Sequence, residues 1–498
     1  MKPVLRVGRN ALVRAEAQQS ALLIDARDYY RTLYRALEQA QSYAIVSGWQ
    51  FESGIPLLRG EDAEHTAHPV KFLEFLQALC DERPGLTIYL LAWDFSVVYA
   101  KDREWGQAEK FNGGNPQVRF VWDAHPTVGA SHHQKFAVID GAVGFIGGID
   151  LCDARWDEND HRSEHPERVN VVGDPCKPYH DVQACFTGAI VAPLVEVFVE
   201  RWLLACGERL QFAPPAVGAR DRFDLMALSG GCAHSICATH AALSRTRVDS
   251  RAEPARVGEV FALFGDAIRA ARRLIYAETQ YFTSRSVAKL LFERMRDDTL
   301  PKLDIVVVLP HGADTPMEKM ALEDTQDGVL SALLETALEC GHELRLIYPA
   351  SRNPDGSETA TFIHSKILIV DDELLMVGSP NLTERSIALD TELAITWECN
   401  SEADELTDCI QTIRTLLLAE HSGLPASEFG LQRGLCEKVG LLIERGDTRL
   451  RRREVVAAGP LGDLLSQFFD PGDAELTDAT ALLEPLPRES RLPATSTS

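Results

Sequence analysis

The stretch HHQKFAVIDGAVGFIGGID, from His132 to Asp150, places two histidines and a lysine in a pattern that otherwise predicts a buried hairpin. Two short apolar runs flank Gly141, as expected for two strands joined by a glycine turn. Side chains alternate along a strand, so His133 and Lys135 lie on the same face. A buried lysine needs an anionic partner, and a local salt bridge to Asp140 would be the simplest explanation.

A second copy of the pattern argues against this explanation. The segment TFIHSKILIVDDELLMVGSPN, from Thr361 to Asn381, has the same spacing of histidine, lysine and aspartate. It also has GSPN where the first copy has GGID. The repeated residues are His364, Lys366 and Asp371, which match His133, Lys135 and Asp140. Internal repeats of this kind indicate a duplicated structural unit.

Segments that predict helices and strands repeat in the same register. DARDYYRTLYRALEQAQ precedes the apolar strand SYAIVSGWQF, and GEVFALFGDAIRAARR precedes LIYAETQYF. Strands that alternate with helices are typical of α/β units with a mainly parallel sheet. We therefore expect two α/β halves related by a pseudo-twofold axis, with both histidine–lysine pairs in one cleft between them.

The repeat also predicts how the chain is divided. We expect a first half over residues 1–206 with its motif at 127–154, a connecting region over 207–257, a second half over 258–422 with its motif at 358–385, and a C-terminal extension over 423–498. Within the extension we interpret the basic run RLRRREVV as a solvated helix face rather than a lipid-binding patch. The final RESRLPATSTS is expected to be disordered.

Composition limits the class of function. The chain has 74 acidic and 50 basic residues, a net charge of −24 that disfavours non-specific attraction to nucleic acid or to anionic lipid surfaces. No apolar run approaches the ~18 residues of a membrane span. The N-terminus lacks the apolar segment of a secretory signal. We therefore expect a cytoplasmic or peripheral membrane protein, and the sequence leaves open whether it is exported without a cleaved signal.

The eleven cysteines, an odd number, do not suggest a disulfide framework, so we expect reduced thiols. One cluster has a spacing that could suit zinc: Cys232, His234, Cys237 and His240. Structural zinc sites usually take ligand pairs from separated segments. We therefore expect no metal at this cluster.

Two facing histidines can divide the work of a nucleophile and a general acid. Two lysines and Asn381 supply positive charge and hydrogen-bond donors for a tetrahedral anion, which favours a phosphate over a carboxylate. The sequence shows no dense group of carboxylates of the kind that forms a two-metal centre. The pattern therefore predicts cleavage of a phosphodiester without an obligatory metal and without a cofactor.

The two HxKxxxxD motifs, each followed by GG or GS and then Asp or Asn, resemble those of the phospholipase D superfamily. GGIDLCDARWDENDH, LIYAETQYFTSRSVAKLL and PYHDVQACFTG resemble segments of its lipid-acting branch, with Thr279 and Tyr179 as departures from the usual residues. The resemblance covers about residues 20–422. It implies two duplicated phospholipase D-like α/β halves that form a pseudo-twofold sandwich with one active-site cleft.

The resemblance also implies roles for individual residues. His133 would be the nucleophile that forms a phosphohistidine, and His364 would protonate the leaving alcohol and then activate the acceptor. Lys135, Lys366 and Asn381 would hold the phosphate oxygens, with Ser379 and Asp150 beside them. Asp181 and Glu392 stand where the family has carboxylates that orient the histidines. Asp140 and Asp371 complete the two motifs and are expected to fix the turns of these motifs.

Three functions remain open from the sequence. The first is a phospholipase D that acts on a glycerophospholipid at a membrane surface, with water or an alcohol as the acceptor. The second is a phosphodiesterase or phosphatidyltransferase on another diester, such as a nuclease or a cardiolipin-synthase-like enzyme. The third is a scaffold without activity, which two intact motifs disfavour. We expect a monomer with no nucleic-acid partner.

Overall fold

The computed structural model describes residues 3–94, 104–127, 129–215, 218–312, 323–399, 405–455 and 470. Its first ten strands are β1 (Val13–Glu16), β2 (Gln19–Ile24), β3 (Tyr43–Gly48), β4 (Thr87–Trp93), β5 (Val118–Asp123), β6 (Phe136–Ile139), β7 (Val143–Gly147), β8 (Tyr179–His180), β9 (Val182–Thr187) and β10 (His234–Ser235). The later strands are β11 (His240–Val248), β12 (Arg256–Gly258), β13 (Leu274–Glu278), β14 (Asp304–Val308), β15 (Glu343–Arg352), β16 (Glu358–Ala360), β17 (Phe362–Ile363), β18 (Ile367–Val370), β19 (Leu374–Gly378), β20 (Glu392–Glu398) and β21 (Leu450–Arg452).

The helices of the first half are α1 (Asp25–Glu38), α2 (Glu61–Glu64), α3 (Phe72–Glu82), α4 (Gln107–Asn112), α5 (Val191–Cys206) and α6 (Leu225–Ser229). Those that follow are α7 (Glu259–Ala270), α8 (Arg285–Arg296), α9 (Asp324–Cys340), α10 (Glu384–Ala388), α11 (Glu405–Ser422) and α12 (Leu435–Arg445). Among the described residues, no helix has both the length and the apolar character needed to cross a bilayer.

The strands form two large sheets with corresponding strand orders. The first sheet has the order β10-β2-β9-β7-β6-β3-β4-β5. The second has the order β1-β11-β20-β19-β18-β13-β14-β15-β16, with β12 beside β11 and β21 beside β15. From β2 to β5 and from β11 to β15 the orders match strand for strand. The duplication predicted from the repeated motif is therefore present in the fold.

Each sheet is mixed rather than mainly parallel, which corrects one expectation. Only β3-β4-β5 and β13-β14-β15 are parallel, whereas β6 and β18 run antiparallel to their neighbours. The reason is the hairpin of each motif, which returns the chain through a connection of three residues. Asp140 and Gly141 have φ values of 50° and 63°, and Asp371 and Asp372 have 56° and 55°. Two successive left-handed residues form the tight turn that suits a twisted hairpin.

The two sheets pack face to face, with helices on their outer faces. Ile146 of β7 and Val377 of β19 belong to one buried cluster that joins the inner faces. The amphipathic helix α1 buries Tyr29 and Leu33 against the outer face of the first sheet. The equivalent helix α7 buries Phe264 against the second. Burial of one helical stripe against a sheet is the usual way to complete such a layered core.

The predicted boundaries differ from the sheets in a few places. β1 pairs with β11 in the second sheet, although it belongs to the predicted first half. β10, in the predicted connecting region, pairs with β2 in the first sheet. β11 also begins in that region, and helix α12 of the predicted extension packs on β14 and β15. An edge strand of each sheet therefore comes from outside the predicted half, which local sequence patterns do not reveal.

The basic run in the extension is not a helix face, and that interpretation was wrong. Its described part forms β21, which pairs antiparallel with β15. The side chain of Arg451 lies 3.0 Å from Glu358, and Arg453 lies 3.1 Å from Asp327. These two charges of the run are thus paired within the protein. The tail expected to be disordered, residues 488–498, lies outside the described residues.

One cysteine pair also departs from the expectation of reduced thiols. Cys237 is bonded to Cys409 of helix α11. The two residues are far apart in sequence, and the fold brings their Cα atoms to 6.2 Å. The disulfide removes Cys237 from the candidate Cys/His cluster, in which the thiol of Cys232 donates to the carbonyl of Ser229.

Candidate active site

The two motif histidines lie where the halves meet. Each precedes the first strand of its hairpin and is tied by its backbone to the opposite half. The amide of His133 donates to the carbonyl of Thr391 at 2.9 Å, and the amide of His364 donates to the carbonyl of His180 at 2.8 Å. β17 also pairs with β8 in parallel, which joins the segment before His364 to the first half. The predicted single cleft is therefore built from both halves.

Each histidine is oriented by a carboxylate from the other half. His133 Nδ1 lies 3.0 Å from Glu392 Oε2, and His364 Nδ1 lies 2.6 Å from Asp181 Oδ2. A carboxylate that accepts from Nδ1–H leaves the lone pair on Nε2, the nitrogen that can attack or carry a transferable proton. The two carboxylates expected to orient the histidines thus contact them, in a crossed arrangement.

The glycine and serine that follow the motifs explain how these carboxylates fit. A Cβ atom on Gly148 would lie 2.2 Å from Asp181 Oδ1, so only glycine leaves room for that carboxylate. At the matching position Ser379 is fully buried, and its hydroxyl donates to the longer side chain of Glu392. Ser379 therefore holds Glu392, a contact that the sequence did not indicate. Ser386, which the sequence did not indicate, also donates to Glu392 at 2.7 Å.

The motif lysines lie beside the histidines. Lys135 Nζ lies 3.3 Å from Asp150 Oδ2 and 3.2 Å from the carbonyl of His133. Lys366 Nζ donates to the carbonyl of His364 and lies 3.5 Å from Gln280 Oε1. Both lysines are buried.

Asp150 and Asn381 occupy equivalent positions but differ in charge. The carboxylate of Asp150 pairs with Lys135 and accepts from the amide of Trp49 at 2.8 Å. An anionic group held in this way repels a phosphate, so Asp150 balances Lys135 rather than binding substrate. Asn381 is a neutral amide whose Oδ1 lies 3.4 Å from the hydroxyl of Thr279. That contact leaves the amide nitrogen as a donor for substrate.

The motif aspartates lie at the far ends of the hairpins from the histidines. Asp140 accepts from the backbone amides of residues 41, 42 and 43, and Asp371 accepts from those of residues 272, 273 and 274. These are the loops that lead into β3 and β13. Both side chains therefore fix the turns, as expected, and neither belongs among residues that touch substrate.

Several positively charged side chains lie close to His364. Burial lowers the pKa of His364 well below its usual value, and the charges of Lys366, Arg155 and Lys135 lower it further. Burial lowers the pKa of Lys366 to about 7 and raises that of Asp181 to about 7. Arg155, which follows the first motif in DARWD, was not identified from the sequence. Its guanidinium lies 5.0 Å from the ring centre of Tyr179, next to the cleft.

Groups of histidine and carboxylate side chains that could hold a metal ion exist among the described residues. They are Asp25, His161, His180 and Glu420, and the adjoining His180, Glu278 and His421. Neither group includes His133 or His364. In the part of the chain that the structure describes, the two motif histidines are thus arranged around carboxylates and lysines.

The chain matches known protein families over most of its length. A family model described as phospholipase D matches residues 36–307, and a model described as the PLD-like domain of cardiolipin synthase matches residues 265–414. Phospholipase D alpha 1 of Zea mays is 23% identical over an alignment that covers 75% of this chain and 61% of the maize protein. Phospholipase D alpha 4 of Arabidopsis thaliana is 24% identical, with 80% and 64% covered.

A solved structure shows the same fold. Phosphatidylserine synthase from Haemophilus influenzae Rd KW20 superposes with a TM-score of 0.53 and 14% identity, covering 95% of each chain. This chain spans less than two thirds of the length of the maize and Arabidopsis proteins. Because the phospholipase D model matches more than half of the sequence, and the duplicated fold agrees with it, the chain belongs to the phospholipase D superfamily.

Proposed function

We propose that this protein is a phosphodiesterase that cleaves or transfers the head group of a glycerophospholipid through a phosphohistidine intermediate. The observation that carries the proposal is the crossed pair of histidine–carboxylate contacts, His133 with Glu392 and His364 with Asp181. The lysines of both motifs lie beside them. Two oriented imidazoles and two ammonium groups match the needs of attack on a phosphodiester.

In the first step, Nε2 of His133 attacks phosphorus and forms the P–N bond as the bond to the head-group oxygen breaks. His364 donates its Nε2 proton to that oxygen, so the head group leaves as a neutral alcohol. In the second step, His364 removes a proton from water, whose oxygen attacks phosphorus and breaks the P–N bond. The products are phosphatidic acid and the head-group alcohol, and an alcohol in place of water gives a new phosphodiester.

The lowered pKa of His364 is consistent with this cycle. Burial, together with nearby positive charges, lowers the pKa of His364 and so favours the neutral ring before substrate binds. A bound phosphodiester carries a negative charge that offsets Lys135, Lys366 and Arg155, which raises the pKa of His364 and allows it to hold a proton. The same charge favours the protonated form of Lys366. Binding of substrate therefore favours the protonated form of His364, which is the form that can act as the acid.

Exposed apolar side chains near the cleft support a lipid as the substrate. Trp105 is 93% exposed and Val172 is 77% exposed. Glu104, next to Trp105, accepts from the amide of Ser53 at 2.9 Å, which ties this segment to the loop after β3. The start of that loop, at Trp49, contacts Asp150. Tryptophan is favoured at membrane–water interfaces, so these residues are suited to contact a bilayer beside the site.

A second candidate is a phosphatidyltransferase that uses an alcohol acceptor other than water. The match of residues 265–414 to the cardiolipin synthase model and the fold shared with a phosphatidylserine synthase favour it. Both reactions proceed through the same intermediate. They differ only in the nucleophile of the second step.

The test is an assay of purified protein on vesicles that contain choline, ethanolamine, serine or glycerol phospholipids, each with and without ethanol. Single-stranded DNA is tested in parallel. Release of phosphatidic acid, and of phosphatidylethanol when ethanol is present, is the expected result. Products formed only with glycerol, serine or a second phospholipid as the acceptor would favour the transferase. Cleavage of DNA but of no lipid would overturn the proposal.

A further inference from the structure

A buried group of histidines and carboxylates lies behind His364, outside the residues that the proposed reaction uses. Its members come from four separate segments and from both halves: Asp25, His161, His180 and Glu420. His180 directly precedes Asp181, which orients His364. One donor atom from each of the four residues lies within 4.8 Å of every other. All four side chains are 6% exposed or less.

The donor atoms converge, and although His161 Nε2 is hydrogen-bonded to Glu420 Oε1, the contacts of His180 Nδ1 lack the geometry of hydrogen bonds. His180 Nδ1 lies 2.6 Å from Glu420 Oε1 and 3.1 Å from Asp25 Oδ1. Yet this nitrogen and Asp25 Oδ2 are fully buried with no hydrogen-bond partner. Buried polar atoms left in this way are rare in native proteins and need an explanation. A cation between His180 Nδ1 and Asp25 Oδ2 would give both atoms a partner.

Three of the distances between donor atoms are close to those around a tetrahedral ion, and the 2.6 Å between His180 Nδ1 and Glu420 Oε1 is shorter. Donors at about 2.1 Å from a Zn²⁺ ion are separated from one another by roughly 3.4 Å. His161 Nε2 lies 3.1 Å from Glu420 Oε1 and 3.5 Å from Asp25 Oδ2, and His180 Nδ1 lies 3.1 Å from Asp25 Oδ1. Two imidazole nitrogens and two carboxylate oxygens form a donor set that suits divalent transition metals.

The outer nitrogens of both histidines are held as metal ligands usually are. His161 Nδ1 lies 2.9 Å from Asp157, which is itself held by Arg168 at 2.8 Å. His180 Nε2 lies 3.0 Å from Glu278. Histidines that bind metal commonly donate their second N–H to a carboxylate, which fixes the tautomer and points the free lone pair at the ion. Here both remaining lone pairs point into the group.

We propose that these four residues form a buried structural site for one divalent transition-metal ion, with Zn²⁺ the first candidate. Without an ion, each imidazole lies between two carboxylates and needs a proton on both nitrogens. One divalent ion replaces those two inner protons at equal charge. Bound there, it joins the segment around His180 to helix α11 and so braces the strand pair β8–β17 that positions His364. The ion stays apart from the reacting atoms of the proposed chemistry.

The test measures metal and not activity, so its outcome is independent of the proposed function. Full-length protein is stripped with a chelator under partly denaturing conditions, refolded, and titrated with Zn²⁺ by calorimetry in buffers of different ionisation enthalpy. We expect one ion per chain, release of about two protons, and a higher unfolding temperature with the ion. Co²⁺ should give the visible spectrum of a tetrahedral site.

The variants His161→Gln and Glu420→Gln should lose the stoichiometric ion. The matched control is His68→Gln, because His68 also lies between two carboxylates, Glu38 at 3.0 Å and Glu82 at 3.1 Å, but outside the group. The His68→Gln variant should bind one Zn²⁺ ion, as the unaltered protein does. If the unaltered protein takes up no ion and releases no protons on titration, the group is held by protons alone and the proposal is wrong. Equal binding by the His161→Gln variant would place the ion elsewhere and overturn it too.

Discussion

His133 Nδ1 lies 3.0 Å from Glu392 Oε2, although the two residues belong to different halves of the duplicated fold. The reverse contact, between His364 and Asp181, is made at 2.6 Å. Neither half on its own therefore contains a histidine with its orienting carboxylate. The site is complete only when the two halves are packed together.

Replacing either orienting carboxylate should reduce turnover much more than binding. We expect Glu392→Gln and Asp181→Asn each to lower kcat by about 10²–10⁴-fold with KM changed little, because the imidazole loses its tautomer and alignment. Steady-state kinetics on a vesicle substrate checks this. Glu38→Gln, which alters the histidine–carboxylate contact at His68 away from the cleft, is the control and should leave kcat unchanged. A change in KM with kcat unchanged in the cleft variants would contradict an orienting role.

The two motif histidines should differ when the leaving group is activated. A p-nitrophenolate leaves without an acid, whereas an ordinary alkoxide does not. We expect His133→Ala to abolish turnover of both p-nitrophenyl and ordinary phosphodiesters. The variant His364→Ala should lose the ordinary substrate yet form a covalent adduct with the activated one, because hydrolysis of the P–N bond lacks its base.

The adduct is identified by mass spectrometry, and it should be acid-labile and alkali-stable as a phosphoramidate. In His364→Ala the label should map to His133. A reaction in which the His133→Ala variant is labelled on His364 would reverse the two roles, and an absence of label in both variants would remove the covalent intermediate.

The burial of Lys366 should lower stability in a pH-dependent way. Its pKa falls from 10.5 to about 7 on folding, so the folded state binds fewer protons than the unfolded state between these values. The cost is fully present below pH 7 and disappears as the pH rises towards 10.5. We expect Lys366→Met to raise the free energy of unfolding by about 3–5 kcal/mol at pH 6 and by much less at pH 10.

Denaturant unfolding at both pH values measures this difference. Lys135→Met is the contrasting variant, because it leaves the buried carboxylate of Asp150 without its ion-pair partner and should destabilise the protein. If Lys366→Met raised the free energy of unfolding equally at pH 6 and pH 10, removal of the buried charge would not be the cause of the increase.

Removal of Trp105 should weaken action on vesicles but not on dissolved lipid. Its side chain is 93% exposed beside the loop that follows β3. We expect Trp105→Ala to raise the apparent KM for vesicles by about 3- to 30-fold, which corresponds to the loss of one interfacial side chain. Hydrolysis of a short-chain lipid below its critical micelle concentration should change less than about twofold.

The control is Leu338→Ala, which removes another exposed apolar side chain on helix α9 of the second half. It should leave both assays unchanged. Equal losses for the two variants, or a loss on dissolved lipid as large as on vesicles, would argue against a bilayer contact at Trp105.

The sequence by itself determined the duplication and the two copies of the histidine–lysine–aspartate motif. The two HxKxxxxD motifs, the alternation of helix and strand patterns, and the turns at Gly141 and Asp371 are local features, set by neighbouring residues along the chain. Local patterns therefore predicted the motif hairpins and the strands and helices around them. The resemblance to a known family added Asp181 and Glu392 as orienting carboxylates.

Only the tertiary structure decided which groups meet. It paired each histidine with the carboxylate of the opposite half, turned Ser379 towards Glu392, and bonded Cys237 to Cys409. It also placed β1 in the second sheet and β10 in the first, and it gathered the buried group around His180. These contacts join residues that are far apart in sequence, and they depend on how two sheets pack face to face. No periodicity or motif within one segment carries that information.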